Sequence, residues 1–241
     1  MKVLLVEHTP EPERVVAAAA RLCYSPSGLE QLLGKDGPRD SALIEKILER
    51  GHLSVLEHAT FSFGIEGISR ATSHQLVRHR IASYSQQSQR YVRERGELSF
   101  VTPPSVKAVP GLCARYVEEM GRMKELYDAM IEAGIPVEDA RYILPNATET
   151  KLIVSMNARE LLHFFRLRTC NRAQWEMRGM AKWMLQLVRP LAPTIFAMAG
   201  PGCVEGECPE GDMTCGKADE VRREFLGARA RASRRQRGSL H

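Results

Sequence analysis

The chain has 241 residues, 44% of them hydrophobic and 26% charged, the composition of an ordinary globular protein long enough for one domain or a closely joined pair. No run of 18 apolar residues is present, and the apolar start at residues 1–6 meets Glu7, His8 and Pro10 too soon for a secretory signal. The expectation is therefore a cytoplasmic protein without a membrane span.

The net charge of +5 is unevenly placed: residues 221–241 carry seven Arg against one Glu, a net +6, and residues 1–220 sum to −1. The basicity belongs to a tail, read as a solvated, partly disordered end, with a nucleic-acid- or partner-binding arm as the alternative. Six cysteines in a chain without an export signal read as reduced thiols. The gaps between Cys203, Cys208 and Cys215 are wider than those of a zinc pair and no fourth ligand is evident, so no metal site is expected.

In chain order, residues 2–6 read as a short buried strand. Residues 12–23 read as a helix, with Pro12 in its first turn and an Ala-rich body. Residues 25–38 form a Gly/Pro/Ser connection. Residues 41–50 are helical, with Leu43, Ile44, Ile47 and Leu48 on one face and Gly51 as the stop. Residues 59–66 alternate through Phe61, Phe63 and Ile65 as a half-buried strand. A helix follows over about 68–78.

Residues 81–101 are too polar for core and read as a functional loop leading to a strand near 98–101. Leu112, Tyr116, Met120, Met123, Tyr127 and Met130 recur at intervals of four and three, a long amphipathic helix whose stripe is core. A short helix is predicted over 136–142 and a strand over 151–156. Asn157 and Glu160 fit a capping box for a helix running to Arg168. Met177, Met180, Ala181, Met184, Leu187 and Val188 mark a last long helix ending near Pro190 and Pro193. Trp175 and Trp183 read as core or subunit-interface residues. Strands and helices mix without regular βαβ alternation, which predicts an α+β fold with a mainly antiparallel sheet and several flanking helices. Residues 1–200 form the predicted domain and 201–241 a Cys-containing, Arg-rich C-terminal tail.

Neither G-x-G-x-x-G nor G-x-x-x-x-G-K-[ST] occurs, so nucleotide phosphates would have to be held by side chains and loop amides. Residues 78–90 hold three Arg, one His, three Ser and three Gln without an acid. Arginine forks match phosphate oxygens, and Gln reads the amide edge of a heterocycle in both directions. On composition alone, a solvated polar loop is an equally good reading.

The order of the residues adds more. Arg78-His79-Arg80 followed by Ser88 is the R-H-R-x7-S signature of flavin-dependent thymidylate synthases. Gly51-His52-Leu53-Ser54-Val55-Leu56-Glu57-His58 resembles that family's G-H-x-[ST]-x-x-E-H element. Ala140 to Pro145 resembles A-R-x-x-L-P, and Asn157-Ala158-Arg159, Leu167-Arg168 and Ala173-Gln174-Trp175-Glu176 resemble its N-A-R, L-R and A-Q-W-E stretches. The resemblance covers about residues 1–200.

It implies the thymidylate synthase-complementing fold, a homotetramer with sites built between subunits, and reductive methylation of dUMP to dTMP. The one-carbon unit comes from 5,10-methylenetetrahydrofolate, and NADPH is the reductant through FAD. Carried over by motif, FAD contacts fall on Ser54, Glu57, Arg78, His79, Arg80, Gln86, Asn157, Ala158, Arg159 and His163. Substrate contacts fall on Gln75, Leu76, Val77, Arg78, Gln86, Gln87, Ser88, Gln89, Arg90, Arg141 and Arg168. Arg168 maps onto the residue that activates the pyrimidine, a role suited to a fixed guanidinium beside the amide edge. Ser88 maps onto phosphate binding rather than nucleophilic attack, since no base is paired with it in sequence.

Two positions depart from the family pattern: Ser85-Gln86 stands where Asn-Glu is frequent, and His163 where Asn is common. The alternative reading is a nucleic-acid-binding protein using the Arg-rich loop and tail, with Tyr84 and Tyr91 for stacking. His52 and His58, six residues apart with no third ligand apparent, do not read as a metal pair.

Overall fold

The computed structural model describes residues 1–33 and 39–227. Four strands form one antiparallel sheet in the order β1-β2-β4-β3. They are β1 (Lys2–His8), β2 (Thr60–Ser69), β3 (Ala82–Gln86) and β4 (Glu149–Asn157). The helices are α1 (Pro12–Leu22), α2 (Leu29–Leu33), α3 (Arg39–Glu49), α4 (Arg70–Leu76), α5 (Pro104–Lys107), α6 (Pro110–Glu132), α7 (Val137–Ala140), α8 (Ala158–Arg168), α9 (Trp175–Val188) and α10 (Ala218–Leu226). The α+β expectation with a mainly antiparallel sheet is met.

Two compact units divide the chain, and the strands run through both. The first comprises residues 1–3, 64–80 and 84–154. In it α6 packs on α5 and α7. Its core includes Ile65, Ile68, Leu76, Met120, Tyr127, Leu152 and Val154. The Met/Tyr stripe of α6 is core only in part: Met120 and Tyr127 are buried, whereas Leu112 is half exposed.

The second comprises residues 4–63, 81–83 and 155 onward. There α1 packs on α2, α3 and a 3-10 turn at Leu53–His58, and α8 packs on that turn and on α9. Phe196 lies at its centre, edge-on to Phe61 at 5.6 Å and to Phe165 at 5.9 Å. Such aromatic pairs add to the area they bury.

Local chemistry accounts for the element ends. Gly51 takes φ +69°, and the amides of Gly51 and His52 bond back to the carbonyls of Leu48 and Ile47. This left-handed stop of α3 is cheap only for glycine. Asn157 caps α8 by accepting from the Glu160 amide at 2.9 Å, and Gln174 caps α9 by accepting from Met177 at 2.8 Å.

Several expectations need correction. β1 is an edge strand in which only Val3 is buried, with Leu4 and Val6 turned to solvent. An apolar run that short does not distinguish a buried strand from an edge. Residues 82–86, read as loop, form β3: on the opposite edge a strand needs only partial burial, so polar residues are tolerated. The strand expected near 98–101 is a single antiparallel bridge, Phe100 to Thr148. The connection 25–38 contains α2, with Leu32 buried. Trp175 and Trp183 are 37% and 40% exposed, so neither is core within the chain.

The tail expectation also changes. Residues 218–226 are the helix α10, with Val221, Phe225 and Leu226 buried; residues 228–241 lie outside the described set. All six cysteines are free thiols. Among the described residues no helix is long and apolar enough to cross a membrane.

Candidate active site

In the first unit, α4 delivers the signature. Its N-cap Ser69 accepts from the Thr72 amide, and the chain leaves the helix at Val77 into Arg78, His79 and Arg80. Arg78 and Arg80 are exposed and His79 is buried, so the three alternate between solvent and interior. Tyr84 fixes this turn: its hydroxyl lies 2.9 Å from the Leu76 carbonyl and 2.8 Å from that of His79. Leu76 is fully buried, while Gln75 and Val77 reach the surface.

Gln86, Gln87, Ser88, Gln89, Arg90 and Arg141 belong to the same unit. Gln86 turns its amide inward, donating to Ser73 Oγ at 3.0 Å and Thr150 Oγ1 at 3.1 Å. Gln87 donates its main-chain N–H to the Lys151 carbonyl. Ser88 Oγ accepts from the Arg90 amide at 3.1 Å. Glu138 ties two arginines together: its carboxylate pairs with Arg90, and its carbonyl accepts from Arg141 Nε at 3.1 Å.

Arg70 adds a cation that no motif identified, and donates to the Gln87 carbonyl. Burial lowers its pKa and the neighbouring Arg141 lowers it further, against the pull of Glu94. The two guanidiniums repel one another, and Glu94 supplies part of the compensating negative charge.

In the second unit, a cavity of about 1130 Å³ runs along α8. Four of the expected flavin contacts, Glu57, Asn157, Arg159 and His163, line it. Arg159 Nη1 donates to Glu57 Oε1 at 2.6 Å, joining α8 to the 3-10 turn. Asn157 spends its oxygen on the α8 cap and keeps its amide NH2 to donate.

Ala158 is fully buried and Ser54 exposed, and neither lines the cavity. Arg168 ends α8 half buried, in the same unit. Glu13 braces the opposite wall: its carboxylate accepts from the amides of Thr194 and Ile195 and from the Thr194 hydroxyl.

The sequence reading missed Leu48, Glu49, Arg166, Met198, Gly200, Gly202 and Glu205, all of which line this cavity. One signal was available: Arg166 stands seven residues after Arg159 and three after His163, on one helical face. The wall from 195 to 205 carried none. Among the described residues no group of His, Cys, Asp and Glu is placed to hold a metal ion.

Comparison with known proteins bears on what these two arginine-rich places are for. The family model described as "Thymidylate synthase complementing protein" matches residues 4–194. A flavin-dependent thymidylate synthase of Geobacter sulfurreducens is 59% identical over 227 residues, covering 93% of this chain and 98% of that protein. One from Clostridium tetani is 46% identical across 94% of this chain and 97% of its own length. One from Pyrococcus horikoshii is 47% identical across 88% and 91%. Identity of 46–59% over 88–94% of the chain is common descent: the chain belongs to the flavin-dependent thymidylate synthase family.

Proposed function

We propose that the protein converts dUMP to dTMP, taking the one-carbon unit from 5,10-methylenetetrahydrofolate and reducing power from NADPH through bound FAD. The observation that carries the reading is that Glu57, Asn157, Arg159 and His163, drawn from two elements far apart in sequence, line one cavity. Its volume of about 1130 Å³ is slightly above the roughly 300–1,000 Å³ usual for ligand clefts, which suits a dinucleotide. The donor set suits one as well. Arg159 and the Asn157 amide match phosphate and carbonyl oxygens, and Glu57 accepts from hydroxyls. The residues present therefore fit a flavin dinucleotide, which when bound supplies the reducing equivalents that no side chain can.

The chain's own residues bind and polarise the nucleotide. Arg78, Arg90 and Arg141 are assigned to the dUMP phosphate, with Gln75, Leu76, Val77, Gln86, Gln87, Ser88 and Gln89 around the sugar and base. Arg78, His79, Arg80 and Gln86 also serve the flavin, with Ser54 and Ala158 at its edge. Ala158, and the buried Leu76 on the dUMP side, contribute main chain rather than side chain. Arg168 stabilises the anion left when the pyrimidine N3 loses its proton, which makes C5 nucleophilic without a covalent enzyme adduct. Ser88 is a phosphate ligand and not the nucleophile.

We further propose a cytoplasmic homotetramer, with a catalytic domain at residues 1–200. Residues 201–241 are then a C-terminal extension whose first part, Gly202 and Glu205, completes the cavity wall. The nucleic-acid-binding alternative has no support in the relatives found.

The test is direct. Purified protein is yellow, releases a flavin on denaturation, and forms dTMP from dUMP, NADPH and methylenetetrahydrofolate. Arg168→Ala abolishes dTMP formation while retaining FAD; unchanged turnover in that variant refutes the assigned role. A colourless protein that binds single-stranded DNA with a steep salt dependence refutes the enzyme reading.

A further inference from the structure

The cavity does not end with the residues that the family motifs supply. Arg159, His163 and Arg166 stand at i, i+4 and i+7 on α8, so they share a face that extends about 10 Å along the axis. Arg159 is already engaged by Glu57. Arg166, on the last turn, has no ion pair or hydrogen bond among the described residues and lines the cavity. Its Nε lies 3.4 Å from where a Cβ on Gly202 would sit, a position that the Pro209 ring also approaches, to 2.8 Å. The facing wall, from Met198 through Gly200 and Gly202, lies beyond the residues 4–194 that the family model matches.

We propose that Arg166 is an anion subsite for a co-substrate, at the far end of the cavity from Asn157, taking a phosphate or carboxylate carried by the reductant or by the one-carbon donor. This rests on the function proposed above and adds to it a binding residue that the motifs do not include. The guanidinium fork matches both anions, and Met198 and Ile195 offer an apolar surface for the remainder of the ligand. Glu49 lines the same cavity and carries a charge of the same sign as the proposed ligand, which supplies a second, independent variant.

The experiment titrates flavin-loaded protein calorimetrically with NADP+, NAD+, a monoglutamyl folate and a triglutamyl folate. Wild type is compared with Arg166→Ala, Arg166→Lys and Glu49→Gln. Arg166→Ala weakens at least one of these ligands about ten-fold or more, while FAD affinity and the flavin spectrum stay as in wild type. Arg166→Lys restores part of that loss, and Glu49→Gln tightens the same ligand.

The pattern identifies the source. Loss for NADP+ alone assigns the 2′-phosphate, equal loss for NADP+ and NAD+ the pyrophosphate, and loss for the triglutamyl folate alone the carboxylate tail. Unchanged affinity for all four ligands in Arg166→Ala overturns the proposal. So does a parallel loss of FAD affinity, which would make Arg166 a flavin ligand. A wild-type protein that takes up no flavin refutes the underlying function instead, and is recognised before any variant is compared.

Discussion

Glu94 is a carboxylate held by the first unit against its own solvation. Burial pushes its pKa above the usual carboxylate range, and Lys124, Arg70, Gln89 and Lys151 pull it back only in part. The folded state therefore binds the Glu94 proton more tightly than the unfolded chain does. The stability linked to this group is fully present below the unfolded carboxyl pKa of about 4.3 and is lost as pH rises through the folded value. Glu94→Gln is accordingly more stable than wild type at pH 7, and the difference closes on acidification towards pH 4. Urea unfolding over that range checks it; a constant difference contradicts it. The same neighbourhood explains why the arginines proposed for the substrate were legible and their partners were not. Arg90 and Arg141 stand in motifs, but Arg70 meets Arg141, and Glu138 meets Arg90, only through the fold.

Helix α8 carries more of the candidate site than any other element. It begins with the Asn157 cap, presents Arg159, His163 and Arg166 along one face, and ends at Arg168. Asn157 has two jobs on separate atoms, its oxygen capping the helix and its NH2 left for the cavity. Two substitutions separate them. Asn157→Ala removes the cap and lowers stability by about 1 kcal/mol, seen as a fall in Tm. Asn157→Asp keeps the capping oxygen and favours the helix N-terminus, so it unfolds like wild type, yet it binds FAD more weakly because the donor is gone. Equal FAD affinity in Asn157→Asp would remove Asn157 from the flavin site. The helix was readable from sequence because its cap and apolar period are local. The strand β3 was not, because what makes residues 82–86 a strand is pairing across the sheet with a partner over sixty residues away.

At the scale of the molecule, the second unit depends on its C-terminal segment to hold the cavity wall. A Cβ on Gly200 would sit 2.9 Å from the Phe225 ring, so α10 is packed directly on backbone that lines the cavity. Arg189 secures the same region, donating to the carbonyls of Phe196, Ala199 and Phe225. Arg222 reaches the carbonyls of Cys203 and Gly206. Phe225→Ala is expected to cost about 3 kcal/mol, and to weaken FAD binding because the wall at Gly200 loses its backing. Thermal unfolding with and without FAD measures both effects. A loss of stability with undiminished FAD affinity would show that α10 supports the fold but not the site.

The sequence by itself determined the helices with a clear 3.6 period and a cap, the alternating strand β2, the α+β class, and the family through motif order. Each of these is written in neighbouring residues or in fixed spacings. Only the tertiary structure decided that β1 is an edge, that residues 82–86 are a strand, and that residues 218–226 form a packed helix. It alone brought Leu48, Arg166 and the 195–205 wall into the cavity with Glu57 and Asn157. Pairing across a sheet and closure of a cavity depend on contacts between residues far apart in the chain, and no local pattern of hydrophobicity records them.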